Sequence, residues 1–535
     1  MRFRARVDGV WVGVAALLAL ACAGIDPATR RSGERDETRL RSIREAGAPR
    51  RVVLVTVAGL ESGDFLAASG FAVGPEDRTR MPQLARLAAE GAMGVLASPP
   101  APGSSYASHA TLVTGLRPNR HGIVADEGLT AEGDRSLPYW DSQSLQATTL
   151  WDAAVGRGAL ALGWPTTDGA RIELLVSDAV PDDPKQSWLD FVRRRSTPQL
   201  VESLEAIAKR DLSGASDRSR RGSKSGASGG ESWPTLGERD DAFVELACGV
   251  AESERDPSIW LIRLVEPSLA LVAHGHGSRE HAEALLRADA RIGRLVDCLE
   301  AASRIADSAL FVVGDVAYRP VHTEIAPNTA LVRENLVGRD PRSKTGVRSW
   351  LALSRSHGRS AYVYAKEAEN AVAARRVLEA EARRSGAFEI VPAADLAASG
   401  VDRQAWFGLA AGSGYSFGNA LMGPLLRPSE SRSSAGGFTF REGAAGSVGF
   451  VAWGRGVRSQ IRVPELALVD IAPTIARLLG LRLDDDLDGR PLVGILRASQ
   501  PLPPPGPKRI GSDTGGDVSR TLEELGGGRD SGGRP

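Results

Sequence analysis

The sequence predicts an α/β fold: a three-layer sandwich with a mainly parallel central sheet, helices on both faces and an inserted cap. Three observations carry this expectation. Arg51-Val-Val-Leu-Val-Thr-Val-Ala-Gly-Leu60 is a continuous apolar run ending at glycine, the pattern of a parallel strand buried on both sides. Ala309-Leu-Phe-Val-Val-Gly-Asp-Val-Ala-Tyr318 reads in the same way. Between them, Leu285, Ala288, Ile292, Leu295 and Leu299 recur at helical spacing within Ser278–Ser303, giving a helix with one apolar face. A chain of 535 residues, 42% hydrophobic, is long enough for a large core. Lys+Arg and Asp+Glu balance at 66 each, which argues against a nucleic-acid partner held by charge.

In chain order, Met1-Arg-Phe-Arg-Ala-Arg is basic, Val10 to Leu20 is apolar and Ala21-Cys22 closes the stretch, so residues 1–22 read as a signal peptide. Eleven apolar residues are too few to span a bilayer. Leu18-Ala-Leu-Ala-Cys22 resembles a bacterial lipobox, which makes Cys22 the expected lipidation site and a membrane-anchored, exported protein the expected product. Ordinary secretion is the alternative. Residues 23–48 are polar and suit a tether. Beyond the first strand, Met81–Gly91 reads as a helix, and Pro99–Ile123 is a Pro/Gly-rich loop that delivers Ser104 and Ser105 to a helix expected at His109–Gly115. The free N–H groups of such a helix start favour a phosphate oxygen. Ser105 is therefore the nucleophile candidate, and its hydroxyl needs a metal or a base to activate it. His109, four residues on, does not make a triad by spacing alone.

Further along, residues 213–230 are rich in Ser, Gly and Arg and read as a disordered loop. Cys248 and Cys298 both fall on expected helices, which favours two buried thiols over a disulfide. His274-Gly-His276, with His281 and His322, is weak evidence for a displaced metal site and reads as a solvated loop. Val448–Trp453 returns to the sheet, and Val469–Gly480 forms a last helix with Asp470 as its expected N-cap. Asp484-Asp485-Asp486 reads as an exposed acidic turn, and the Pro- and Gly-rich residues 499–535 as an unfolded tail.

The run from Pro99 to Ile123 resembles the nucleophile segment of the alkaline phosphatase superfamily, in its type I phosphodiesterase/nucleotide pyrophosphatase branch. The resemblance implies an alkaline-phosphatase-like domain over residues 49–498, with a cap over about 331–440. It also implies where two catalytic metals would be held: at Ala58, Ser268, Val272, Asp315, Val316 and Gly436. Five of these six positions offer no ligand of the family's kind, and Asp315 alone is retained. Two divalent ions need several N, O or S donors each, so no cofactor is expected. The expected function is that of an exported pseudoenzyme binding an unidentified protein or anionic ligand beside Ser105. The alternative is an active phosphoester or pyrophosphate hydrolase with Ser105 as nucleophile and zinc or other divalent metals in a non-standard site.

Overall fold

Strand β1, Arg51–Val57, is buried at every residue and feeds two cores at once. Val53, Val55 and Val57 enter one core while Val52 and Leu54 enter the other, because successive side chains point to opposite faces of a strand. This computed structural model describes residues 47–66, 81–129, 136–181, 185–219, 234–342, 346–438 and 447–497. The signal peptide with Cys22, most of the tether and the tail lie outside the described residues.

The chain continues through α1 (Pro82–Glu90), β2 (Ala92–Ser98), α2 (Ser105–Thr114), β3 (Ala159–Leu162), β4 (Leu174–Val176), α3 (Pro198–Ser219) and α4 (Leu236–Glu252). Next come β5 (Ile259–Leu264), α5 (Glu266–His274), α6 (Arg279–Ala301), β6 (Ser308–Gly314) and β7 (Tyr318–Ile325). Four strands of the cap follow, β8 (Ala352–His357), β9 (Ser360–Ala365), β10 (Phe388–Val391) and β11 (Phe407–Ala411), with helix α7 (Ala368–Ser385) between β9 and β10. The chain then re-enters the main body as β12 (Phe450–Gly454), β13 (Ile461–Ala467) and α8 (Ile471–Leu479).

Among the described residues the central sheet has eight strands in the order β13-β2-β12-β6-β1-β5-β3-β4. Its neighbours pair in parallel except at β12, which runs antiparallel to β2 and β6. Leu84 of α1, Phe243 of α4 and Leu285, Ile292 and Leu295 of α6 cover one face. Leu112 of α2 and Ile475 of α8 cover the other. Each fully buried Leu or Ile of α6 contributes about 1.5–3 kcal/mol, which is why the apolar stripe decides where that helix lies. The cap is a separate antiparallel sheet, β8-β9-β11-β10, with its own core of Leu353, Val363, Leu378 and Phe407. Tyr362 of β9 packs with Ala101 and Phe438, so the cap rests on the loop that precedes Ser105.

Three expectations need correction. Helix α3 runs through Ser219, well into the segment expected to be disordered from residue 213; residues 220–233 lie outside the described residues. Cys248 and Cys298 form a disulfide, because α4 and α6 pack side by side on one face and bring their Cα atoms to 5.3 Å. Asp470 does not cap α8 with its side chain: with φ −79° and ψ −13° it is already helical, and its carboxylate instead accepts from Ala467 N (3.1 Å) and Arg490 N (2.8 Å).

Candidate functional site

The site gathers at the C-terminal ends of the central strands, where open α/β sheets place their ligands. Its helix begins earlier than the sequence suggests. Ser105, not His109, is the first helical residue of α2, because the Ser104 side chain caps the helix by accepting from Ala107 N (3.3 Å). Gly103, at φ +76°, turns the chain into the cap and leaves no room for a side chain: a Cβ there would lie 2.5 Å from Gly436 Cα.

Two side chains from distant parts of the chain meet at Ser105. Its hydroxyl donates to Asp315 Oδ2 (2.6 Å), just beyond β6, and accepts from Arg263 Nη2 (3.1 Å), on β5. Asp315 is fully buried, and its other oxygen accepts from Val316 N (2.8 Å) and Gly59 N (3.3 Å). Arg263 also donates through Nη1 to Asp178 Oδ2 (3.2 Å), an oxygen that takes a second bond from the Tyr106 hydroxyl (2.7 Å). The outcome is a linear hydrogen-bonded network, Asp315, Ser105, Arg263, Asp178, Tyr106.

Sequence reasoning missed Arg263, Asp178 and Tyr106. A signal for Arg263 was present: Ile259-Trp-Leu-Ile-Arg-Leu264 carries one charge in a strand otherwise apolar on both faces. Ile259 and Leu261 face the α2 side, so alternation puts Arg263 there too, beside its register partner Thr56 on β1. Burial opposes the charge on the Arg263 guanidinium, but Asp178, Tyr106, Asp315 and Asp126 outweigh it and hold the group protonated. Burial raises the Asp178 carboxyl above the usual carboxylate range, with Arg263 and Tyr106 pulling against it.

His109 is scaffold in chemical detail. Its Nδ1 lies 2.7 Å from the Ser105 carbonyl oxygen, which can only accept, so Nδ1 carries the proton. Nε2 is then left to accept from the Thr56 hydroxyl (2.8 Å). The 3.4 Å approach of Ser105 Oγ to Nδ1 therefore meets an N–H and no lone pair, and His109 is not its base. Burial, then Arg263, pushes the imidazole down to about 4. His121 is likewise tied into the scaffold, with Nε2 3.0 Å from Thr111 Oγ1 and Nδ1 accepting from Ile123 N (3.1 Å).

Ala58 follows β1 and is buried beside this network. Ser268 and Val272 sit on the short helix α5, and Ser268 donates to the Val265 carbonyl (2.9 Å). A Cβ on Gly59 would come within 3.3 Å of Ser268 Cα, so Ala58-Gly59, Ser268 and Asp315 do share one neighbourhood. Val316 is buried next to Asp315. Gly436, at φ +90°, has no space for a side chain, since a Cβ would meet the His357 and Pro102 carbonyl oxygens at 2.7 and 2.9 Å. His274 is exposed at the end of α5, His276 reaches Ser433 Oγ (3.2 Å) and Glu61 (3.4 Å), and His322 bonds Thr323 (2.8 Å). Asp486 of the acidic turn pairs with Arg120 (3.3 Å), and Asp484 accepts from Thr148 N (3.0 Å).

These residues do not fit a pair of divalent ions. Among the described residues no three His, Cys, Asp or Glu side chains converge on a point that could hold one. Asp315 already accepts from a hydroxyl and two amides, and a guanidinium 3.1 Å from Ser105 Oγ repels any cation placed on that oxygen.

The fold is similar to that of human ectonucleotide pyrophosphatase/phosphodiesterase 5, with a TM-score of 0.56 and 15% identity over 84% of this chain and 100% of that one. No curated protein matches the sequence. The family model for type I phosphodiesterase/nucleotide pyrophosphatase matches residues 66–416. With that match covering more than half of the chain and including the nucleophile segment, the chain belongs to the type I phosphodiesterase/nucleotide pyrophosphatase family of the alkaline phosphatase superfamily.

Proposed function

We propose that this protein is an exported pseudoenzyme of its family, which binds an anionic, phosphate-like group beside Ser105 and does not hydrolyse it. The observation that carries the reading is Arg263 Nη2 on Ser105 Oγ at 3.1 Å: a fixed positive charge of the chain stands where a nucleophile of this type would need a metal. A guanidinium offers an oxyanion planar, charge-assisted donors, and the start of the ten-residue helix α2 adds its positive dipole end. It does not lower the pKa of a serine hydroxyl as a bound ion does, nor does it balance the charge of a transferring phosphoryl group on both sides. Inorganic phosphate, titrated calorimetrically, is expected to bind the purified protein. Bis(p-nitrophenyl) phosphate is expected not to be turned over with or without added zinc, with any background rate unchanged by chelator or by Ser105→Ala. Zinc-stimulated turnover lost in Ser105→Ala establishes the active-hydrolase alternative instead. That alternative draws on the 2.6 Å bond from Ser105 to Asp315, which pairs a hydroxyl with a carboxylate base.

Export is supported from two directions. The first 22 residues have the composition of a lipoprotein signal, and the Cys248–Cys298 disulfide belongs to an oxidising compartment. In this reading a lipid on Cys22 holds the body to the cell envelope. Cys22→Ala moves the protein from the membrane fraction to a soluble one; an unchanged membrane fraction removes the lipid anchor from the proposal.

A further inference from the structure

Beside the nucleophile loop, between the cap and the main body, lies a cavity of about 550 Å³. Its wall begins at Asp126, whose Oδ1 accepts from Tyr106 N (2.9 Å), so the cavity adjoins the Ser105 network but does not include Ser105 or Arg263. The volume is within the ordinary range for a small-molecule site. Its lining mixes two kinds of surface. Tyr139, Trp350 and Tyr364 supply aromatic rings, while Asp402, Gln404 and Asn419 supply planar polar groups. Asp402 is held in place, with one oxygen accepting from the Tyr364 hydroxyl (2.8 Å) and the other from Gln404 N (2.9 Å).

His357 adds the more specific statement. It lines the cavity, and its Nε2 is shielded from solvent and has no hydrogen-bond partner. Such an atom is costly unless something satisfies it. Desolvation, reinforced by Arg355, pushes this imidazole down to about 3, so it meets an occupant in its neutral form. A hydroxyl complements a neutral imidazole in either tautomer, because it can donate or accept.

The charges select further. Asp126, Glu127 and Asp402 line the cavity with Arg355, which Glu127 attracts, and burial raises the Asp126 and Asp402 carboxyls, so the lining offers hydrogen-bonding groups and little net positive charge to hold an anion. Aromatic and acidic walls suit a quaternary ammonium group, but that group brings no hydrogen-bonding atom for His357 Nε2. We propose that this cavity binds a neutral polyhydroxylated ring, a sugar or cyclitol, stacked on its aromatic wall and hydrogen-bonded by His357 and the planar groups. The assignment stands whether or not phosphate binds at Ser105.

The test is saturation-transfer NMR on the full chain, with methyl glucoside, methyl mannoside, methyl galactoside, N-acetylglucosamine and myo-inositol as probes at millimolar concentration. At least one probe receives saturation from the protein, and inorganic phosphate does not displace it. Trp350→Ala weakens its binding about fivefold to tenfold, the scale of one lost ring contact. Gln404→Ala, at an exposed side chain whose removal leaves the core intact, also weakens it. The proposal is overturned if all five probes fail to bind. It is equally overturned if tetramethylammonium binds in their place, or if sugar binding is indifferent to both substitutions.

Discussion

Arg263→Met abolishes phosphate binding and lowers the unfolding free energy by about 3–5 kcal/mol, the usual cost of removing one partner from a buried ion pair. Two buried carboxylates, Asp178 and Asp315, lose the guanidinium between them, and Ser105 loses its donor. The sign of the pH dependence follows from Asp178. Burial already raises its carboxyl, and without Arg263 it rises further. A carboxyl raised in the folded state penalises folding above its folded value and ceases to do so once pH falls below its unfolded value, so the deficit of the variant is greatest near neutrality and shrinks as the solution is acidified. Urea unfolding at neutral and mildly acidic pH reads this directly. Adding Asp178→Asn to Arg263→Met recovers part of the stability but none of the phosphate binding. Arg263→Lys keeps the charge but cannot span Ser105 and Asp178 together, so it falls between wild type and Met. An Arg263→Met protein with wild-type stability and phosphate affinity contradicts the role given to this residue.

Cys248→Ala with Cys298→Ala costs about 4 kcal/mol, from the loop-closure entropy of a bridge spanning 50 residues. The loss is large because α4 and α6 form one side of the sandwich, and the bridge links them beneath the same core face. Denaturant midpoints of the double variant and of the parent, with and without reductant, measure it: reductant shifts the parent toward the variant and leaves the variant where it was. Titratable thiols at both Cys248 and Cys298 in the unreduced, denatured parent would refute the bridge.

The fold was legible where burial leaves a local pattern. Arg51–Leu60 and Ala309–Tyr318 are apolar on both faces because helices cover both sides of their sheet, and Leu285 to Leu299 keep helical period because α6 covers one of them. The pairing of Ser105 with Asp315 was within reach because each lies in a segment recognisable by itself. What could not be read locally was the partnership of elements. Arg263 is 158 residues from Ser105, and its value depends on which strand lies beside β1. Cys248 and Cys298 were read as thiols because the adjacency of α4 and α6 is a tertiary fact. Asp470 and the start of α2 failed for a narrower reason: each depends on the backbone conformation of a single residue, which composition does not specify.

The close approach of Gly103 and Gly436 couples two segments far apart in sequence. A cap residue and the nucleophile loop meet backbone to backbone, so any side chain at 436 has to push apart the Pro102 and His357 carbonyls before it can point anywhere. A residue larger than glycine at 436 therefore cannot be accommodated by the cap alone, because the loop in front of Ser105 has to shift with it. The two glycines act as a clasp: the position of the cap and the path of the chain into Ser105 are set together.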